Sequence, residues 1–137
     1  MVQEKTDVRK LIDSNNLIVI TGVTRKEQTL CARNMGIVLS KDLETKICVV
    51  CRKDDEPNYL FIDDVEFIPD ISIMDSCIEN TNSYIIIDSL CARGKAFLES
   101  LLYHYPNKVI VANAKCDMDT FKDGLYIHCQ NVDIDLN

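Results

Sequence analysis

The residues with the strongest claim to chemistry lie between Leu17 and Thr29 (LIVITGVTRKEQT). An apolar run of strand length ends there in a glycine, and a short polar loop leads into a helix-like segment. Laid on the phosphate-cradling pattern G-x-x-x-x-G-K-[ST], Gly22 and Thr29 fall in register. Glu27 takes the place of the second glycine, and Gln28 that of the lysine. In an intact loop, backbone N–H groups surround the phosphates and the lysine neutralises them. Gln28 removes that charge. Glu27 brings an anion, which at roughly 4 Å from a phosphate costs about 4 kcal/mol at an effective dielectric of about 20. The freedom of glycine to take a positive φ is also lost at position 27. Arg25 and Lys26 are the candidates for a substitute cation. Hydrolysis further needs a positioned water and a metal held at two points.

Other candidate groups are scattered. Cys48 and Cys51 form a C-x-x-C, but inside an apolar strand a spacing of three places them on opposite faces. No second pair follows, and His104 and His128 are isolated, so a zinc site is not expected. Asp63-Asp64, after an apolar run, reads either as an acidic magnesium element or as an ordinary strand-end turn. Asp88 closes the run YIII; followed by Ser89, it reads as a loop cap. Lys115 and Asp117 read equally as site residues or as a solvated loop. No Ser/His/Asp or Cys/His set can be assembled from spacing.

The whole chain bounds what these groups can serve. At 137 residues it reads as a single domain, residues 1–137, able to bury roughly 65–70% of its unfolded surface. A net charge of -7 disfavours nucleic acid, which asks for a basic stripe, and an anionic membrane surface. No apolar stretch approaches the roughly 18 residues of a membrane span, and the charged N-terminus (MVQEKTDVRK) does not read as a secretory signal. Seven cysteines, an odd number, then read as reduced thiols of a cytoplasmic or nuclear protein.

The elements that must position these residues alternate. Six strands are expected at Leu17–Ile20, Ile47–Cys51, Tyr59–Ile62, Tyr84–Ile87, Lys108–Ala112 and Leu125–His128. Helices are expected within Gln3–Asn15, over Leu30–Leu39, from Pro69 towards Ile78, and over Lys95–Tyr105. The seven-residue loop Arg52–Asn58 suits an antiparallel hairpin between the second and third strands. The expectation is a three-layer α/β domain with a mostly parallel six-stranded sheet and one antiparallel hairpin. A ligand would bind at the carboxyl edge of that sheet.

This order, together with IVANAKCDM (Ile110 to Met118) and YLFIDDVEF, resembles the Ras-like small GTPases among the P-loop nucleotide-binding proteins. In that resemblance Lys115 and Asp117 match the base-recognition motif N-K-x-D, whose asparagine is replaced by Ala114. Asp63 matches the aspartate of D-x-x-G, with Glu66 at the glycine, and Thr45 is the candidate metal-closing threonine. The resemblance spans roughly Leu17 to Asn131. Set against the family, the expectation is a minimal domain: Met118 to Gly124 leaves no room for a helix between the last strands, and a closing C-terminal helix is not expected. The N-terminal Val8/Leu11/Ile12 helix, a partner protein, or both are then expected to cover the bare sheet face.

The resemblance implies a pseudo-GTPase, not an enzyme. It would bind partner proteins as a scaffold subunit of a heteromeric complex, with no cofactor or metal and a vestigial site of Gly22, Thr29, Asp63, Lys115 and Asp117. One alternative is a weak guanine-nucleotide switch using Asp117 and a displaced cation. Another is a degenerate helicase- or thymidine-kinase-type P-loop protein, in which Asp88 is the acidic residue. In that case the second and third strands are parallel neighbours.

Overall fold

The structure, a computed structural model, describes residues 8–22, 24–42, 47–68, 84–104, 108–118 and 124–129. Its elements in chain order are α1 (Val8–Ser14), β1 (Leu17–Thr21), α2 (Arg25–Asp42), β2 (Ile47–Val50), a 3-10 helix (Lys53–Tyr59), β3 (Glu66–Ile68), β4 (Tyr84–Asp88), α3 (Ala92–His104), β5 (Lys108–Ala112) and β6 (Leu125–His128). The strands form one open sheet in the order β3-β2-β4-β5-β1-β6. Every pairing is parallel. All carboxyl ends therefore lie on one edge.

The inner strands β1, β2, β4 and β5 are apolar, β-branched-rich runs because both of their faces are covered. Alternate residues divide between two cores. Ile18, Ile20, Ile47, Val49, Ile86 and Ile110 face α1 and α2, with Ile12, Ala32, Met35 and Leu39. Leu17, Val19, Ile85, Ile87, Val109 and Val111 face α3, with Leu98 and Leu101. Cys48 and Cys51 fall on opposite faces, as their spacing predicts. Burying one such aliphatic side chain stabilises the fold by about 1.5–3 kcal/mol. The N-terminal helix packs on α2 and β1, and β6 contributes Leu125 and Ile127 to that same core. On the other face of β6, Tyr126 stays 43% exposed.

The expected antiparallel hairpin is not present: β2 and β3 pair in parallel, Cys48 opposite Glu66 and Val50 opposite Ile68. Nor is Tyr59–Ile62 a strand. Tyr59 ends the 3-10 helix, and the Ile62 N–H donates to the Tyr59 carbonyl at 3.2 Å in a turn. Tyr59 and Ile62 point inward while Leu60 and Phe61 point out, the spacing of a helical turn and not of a strand. A short apolar run does not by itself distinguish the two. With the strand moved to Glu66–Ile68, the connection from Cys51 to Val65 has the dozen or more residues a parallel crossover needs. Gly36 in α2 makes room for it, since a Cβ there would stand 2.5 Å from Ile62 Cδ1. The expected helix from Pro69 and the chain beyond Cys129 lie outside the described residues.

Candidate functional site

Where β1 ends, Thr24 caps α2: its Oγ1 accepts the Glu27 N–H at 3.1 Å. Thr24-Arg25-Lys26-Glu27 is thus the T-x-x-E signature of a helix start, with an acid in the first turn where the helix dipole favours one. The phosphate-loop pattern and this cap share the same residues. Gln28 follows, and its amide spans two strand ends. Nε2 donates to the Gly22 carbonyl at 3.1 Å, and Oε1 accepts the Asn113 backbone N–H at 2.8 Å.

The next residue, Thr29, is buried, 5% exposed, and faces Asp88, 3% exposed, at the end of β4. The Asp88 carboxylate is the centre of the cluster. Its Oδ2 accepts the Thr29 hydroxyl at 2.9 Å and the Tyr59 hydroxyl at 2.7 Å. Its Oδ1 accepts Asn113 Nδ2 at 2.8 Å and Ser89 Oγ at 3.2 Å. A carboxylate offers about four lone-pair sites, and a donor stands at each. Asn113 also reaches Thr29 Oγ1 at 3.0 Å and the Arg25 carbonyl at 3.3 Å. Asn113 and Ser89 both take positive φ, 53° and 71°. Asn tolerates that region; for Ser it costs about 1–3 kcal/mol, offset by the bonds the turn makes possible. The Ser89 N–H donates to the Ala112 carbonyl at 2.9 Å.

The 3-10 helix covers this cluster. Tyr59 is fully buried, and burial, followed by the charge and hydrogen bond of Asp88, pushes its phenol well above its ordinary value. Cys51 beneath it is pushed up to about 12 by burial, then by Asp88, Glu56 and Asp55. Cys31 in α2 is pushed up to about 12 by burial and by Cys129. Arg25 is held outside the loop by an ion pair with Asp55, which Arg52 also approaches, at 3.4 Å. Arg25, one of the two candidate substitute cations, is thereby turned towards the 3-10 helix.

Gly22 serves a different need from that of a phosphate loop. None of the described glycines has a positive φ, so conformational freedom is not what position 22 requires. A Cβ there would come 2.1 Å from Cys129 Sγ. The glycine makes room for the residue that follows β6, whose sulfur also lies 3.7 Å from Glu27 Oε2.

Of the residues singled out from sequence, Gly22 and Thr29 meet at the carboxyl edge. Lys115 and Asp117 are exposed in the segment after β5. Asp63 is exposed before β3, at the amino edge, and Thr45 lies outside the described residues. Asp88 does not cap a surface loop; it is buried and fully bonded. Sequence reading missed Asn113, Tyr59 and the inward turn of Gln28. The usable signals were the T-x-x-E cap and the position of Asn113 directly after an apolar strand. Comparison with protein-family models, with curated proteins and with solved structures finds no match to this chain.

Proposed function

We propose that the chain is a non-catalytic relative of the P-loop nucleotide-binding proteins that works as a protein-binding subunit. The observation that carries this reading is the saturated Asp88 carboxylate: four donors from Thr29, Tyr59, Asn113 and Ser89 occupy it. A hydroxyl and a carboxylate so placed would share a magnesium ion in a working nucleotide site. Here they bond to each other, and a metal would have to displace buried partners. Gln28 bonds across the loop that phosphates would enter, and Arg25 is committed to Asp55.

Among the P-loop readings, the all-parallel order favours the helicase- or thymidine-kinase-type ancestor over the Ras-like one. Parallel β2 and β3 are its expectation, and Asp88 at the end of an apolar strand is its acidic residue. The protein-binding role draws support from Leu60 and Phe61, 64% and 68% exposed on a turn whose flanking residues are buried. Adjacent apolar side chains on a rigid support are how interface anchors are presented.

Thermal unfolding in the presence of ATP, GTP and magnesium tests the reading. No shift is expected. A ligand at a hundredfold excess over its dissociation constant would add about 2.7 kcal/mol, and stabilisation of that size would end the proposal.

A further inference from the structure

The segments that leave β4 and β5 at the carboxyl edge stay side by side after the strands end. Asp88 is in register with Ala112, and beyond them the Lys115 N–H donates to the Leu90 carbonyl at 2.6 Å. Cys91 and Cys116 each lie one residue past that bond. Neither forms a disulfide, and their surroundings differ. Cys91 is exposed at the start of α3, where its carbonyl accepts the Gly94 N–H at 3.0 Å. Cys116 is half-buried against Met118, its Sγ 3.8 Å from Sδ. Burial pushes the Cys116 thiol up, opposed by the charge of Lys95 and aided by Cys91 and Asp117. The other cysteines of the sheet and of α2 (Cys31, Cys48 and Cys51) are inside the two cores.

We propose that Cys91 and Cys116 are an oxidisable dithiol, which hydrogen peroxide converts to an intramolecular disulfide fastening the loop after β4 to the segment after β5. The exposed Cys91 thiolate attacks the peroxide, gaining an S–OH bond and releasing hydroxide, which is protonated to water. The Cys116 sulfur then attacks that sulfur, its proton leaving with the departing hydroxyl as a second water. Two thiols thereby give up two electrons and two protons, and one peroxide is reduced to two waters. An exposed thiol beside a more protected resolving partner is the arrangement such sensors use. The inference stands apart from the nucleotide question, because neither cysteine belongs to the Asp88 cluster.

The test treats the full chain with hydrogen peroxide, blocks remaining thiols with iodoacetamide and maps the non-reduced peptides by mass spectrometry. Native protein is expected to lose the mass of two hydrogens, to yield the Cys91–Cys116 linked peptide as its dominant linkage, and to revert with dithiothreitol. Cys91→Ser abolishes that mass loss. Cys116→Ser leaves Cys91 as a sulfenic acid trapped several-fold more strongly by dimedone than in the native chain. Sulfinic acid at Cys91 of the native protein, a dominant linkage to Cys77 or Cys129, or dimers on a non-reducing gel would each overturn the proposal. So would equal formation of the linkage in urea, since the fold is what brings the pair together.

Discussion

Tyr59, the last residue of the 3-10 helix, donates its hydroxyl to Asp88 at the end of β4 over 2.7 Å, tying a short covering element to the centre of the sheet. The bond is buried at both ends, with Tyr59 0% and Asp88 3% exposed. A hydrogen bond to a charged group of this kind contributes about 1.5–3 kcal/mol. Tyr59→Phe should lose that amount in urea unfolding. Asp88→Asn should lose more, because it turns one of the acceptors facing Thr29, Tyr59 and Asn113 into a donor. The double variant should cost less than the sum, since both changes break one shared bond. A residue retained only for catalysis behaves in the opposite way, its replacement leaving stability unchanged or raising it. An Asp88→Asn protein as stable as the parent would therefore contradict the structural role assigned to this carboxylate.

Alkaline pH should expose the same burial. Tyr59, Cys31 and Cys51 all keep their protons in the folded state beyond the pH at which they lose them when unfolded, 10.0 for the phenol and 9.0 for the thiols. The unfolded chain then binds fewer protons than the folded one, so stability falls as pH rises. The contribution of the thiols is complete below 9.0 and declines towards about 12. That of Tyr59 is complete below 10.0 and declines above it. Each group lowers stability by at most about 1.4 kcal/mol per pH unit within its window. Urea midpoints measured across that range should drop, and Cys51→Val should flatten the slope. A midpoint independent of pH up to 12 would rule out the buried, protonated state of these groups.

Most of the sheet was legible in the sequence because β1, β2, β4 and β5 are apolar runs rich in β-branched residues. Lys108–Ala112 and Leu125–His128 fall where the pattern places them. The crossover was not legible, because Tyr59–Ile62 is apolar throughout and its inward and outward residues separate only when the turn is seen. Of the residues that spacing singles out, Thr29 bonds Asp88 and Gly22 lies beside that cluster, bonded to Gln28; the rest of the cluster has no local signature. Asp88 meets partners 59, 29 and 25 residues away in sequence, and no local spacing encodes such a meeting. The asparagine missing from the N-K-x-D comparison stands one residue earlier, as Asn113, and it is turned inward to Thr29 and Asp88. Glu27, an obstacle to phosphate in the loop reading, is an ordinary member of a helix cap.

Restoring the lysine of the phosphate-loop pattern should not restore a phosphate site. Gln28→Lys removes the acceptor of the Asn113 N–H, since an ammonium group can only donate, and leaves that part-buried N–H unpaired at a cost of about 1–3 kcal/mol. The Thr29–Asp88 bond is untouched by the change, so magnesium still finds the carboxylate occupied. Calorimetry should record a less stable protein that takes up neither ATP nor GTP. Binding by this single variant would show that the missing cation, and not the saturated carboxylate, is what silences the loop.

Leu60 and Phe61 should separate stability from partner binding. Both are exposed, and Arg33 lies 5.6 Å from the Phe61 ring centroid, a contact worth about 0.5–1 kcal/mol at such a site. Leu60→Ser with Phe61→Ser should change unfolding free energy by no more than about that amount. If the turn is the docking anchor, the same pair should remove proteins that co-purify with the native chain at a truncated-anchor cost above 2 kcal/mol. Unchanged co-purification would move the binding surface elsewhere.

Gly22 and Cys129 give the sharpest distinction between a phosphate loop and a packing contact. If position 22 is glycine because Cys129 Sγ fills its side-chain space, Gly22→Ala is an overpacking change costing about 1–3 kcal/mol. Cys129→Ala alone removes a half-buried sulfur and should cost less. In the double variant the new methyl group occupies the space the sulfur leaves. Gln28 Cγ, at 3.2 Å from the added Cβ, then has only a few tenths of an ångström to give. Stability should therefore recover most of what Gly22→Ala loses, a coupling of about 1 kcal/mol or more between two residues at the ends of β1 and β6. A glycine kept for the approach of phosphate shows no such coupling, because shortening Cys129 does nothing to make room for an anion. Strictly additive losses in the two single variants and the double would refute the packing account of Gly22.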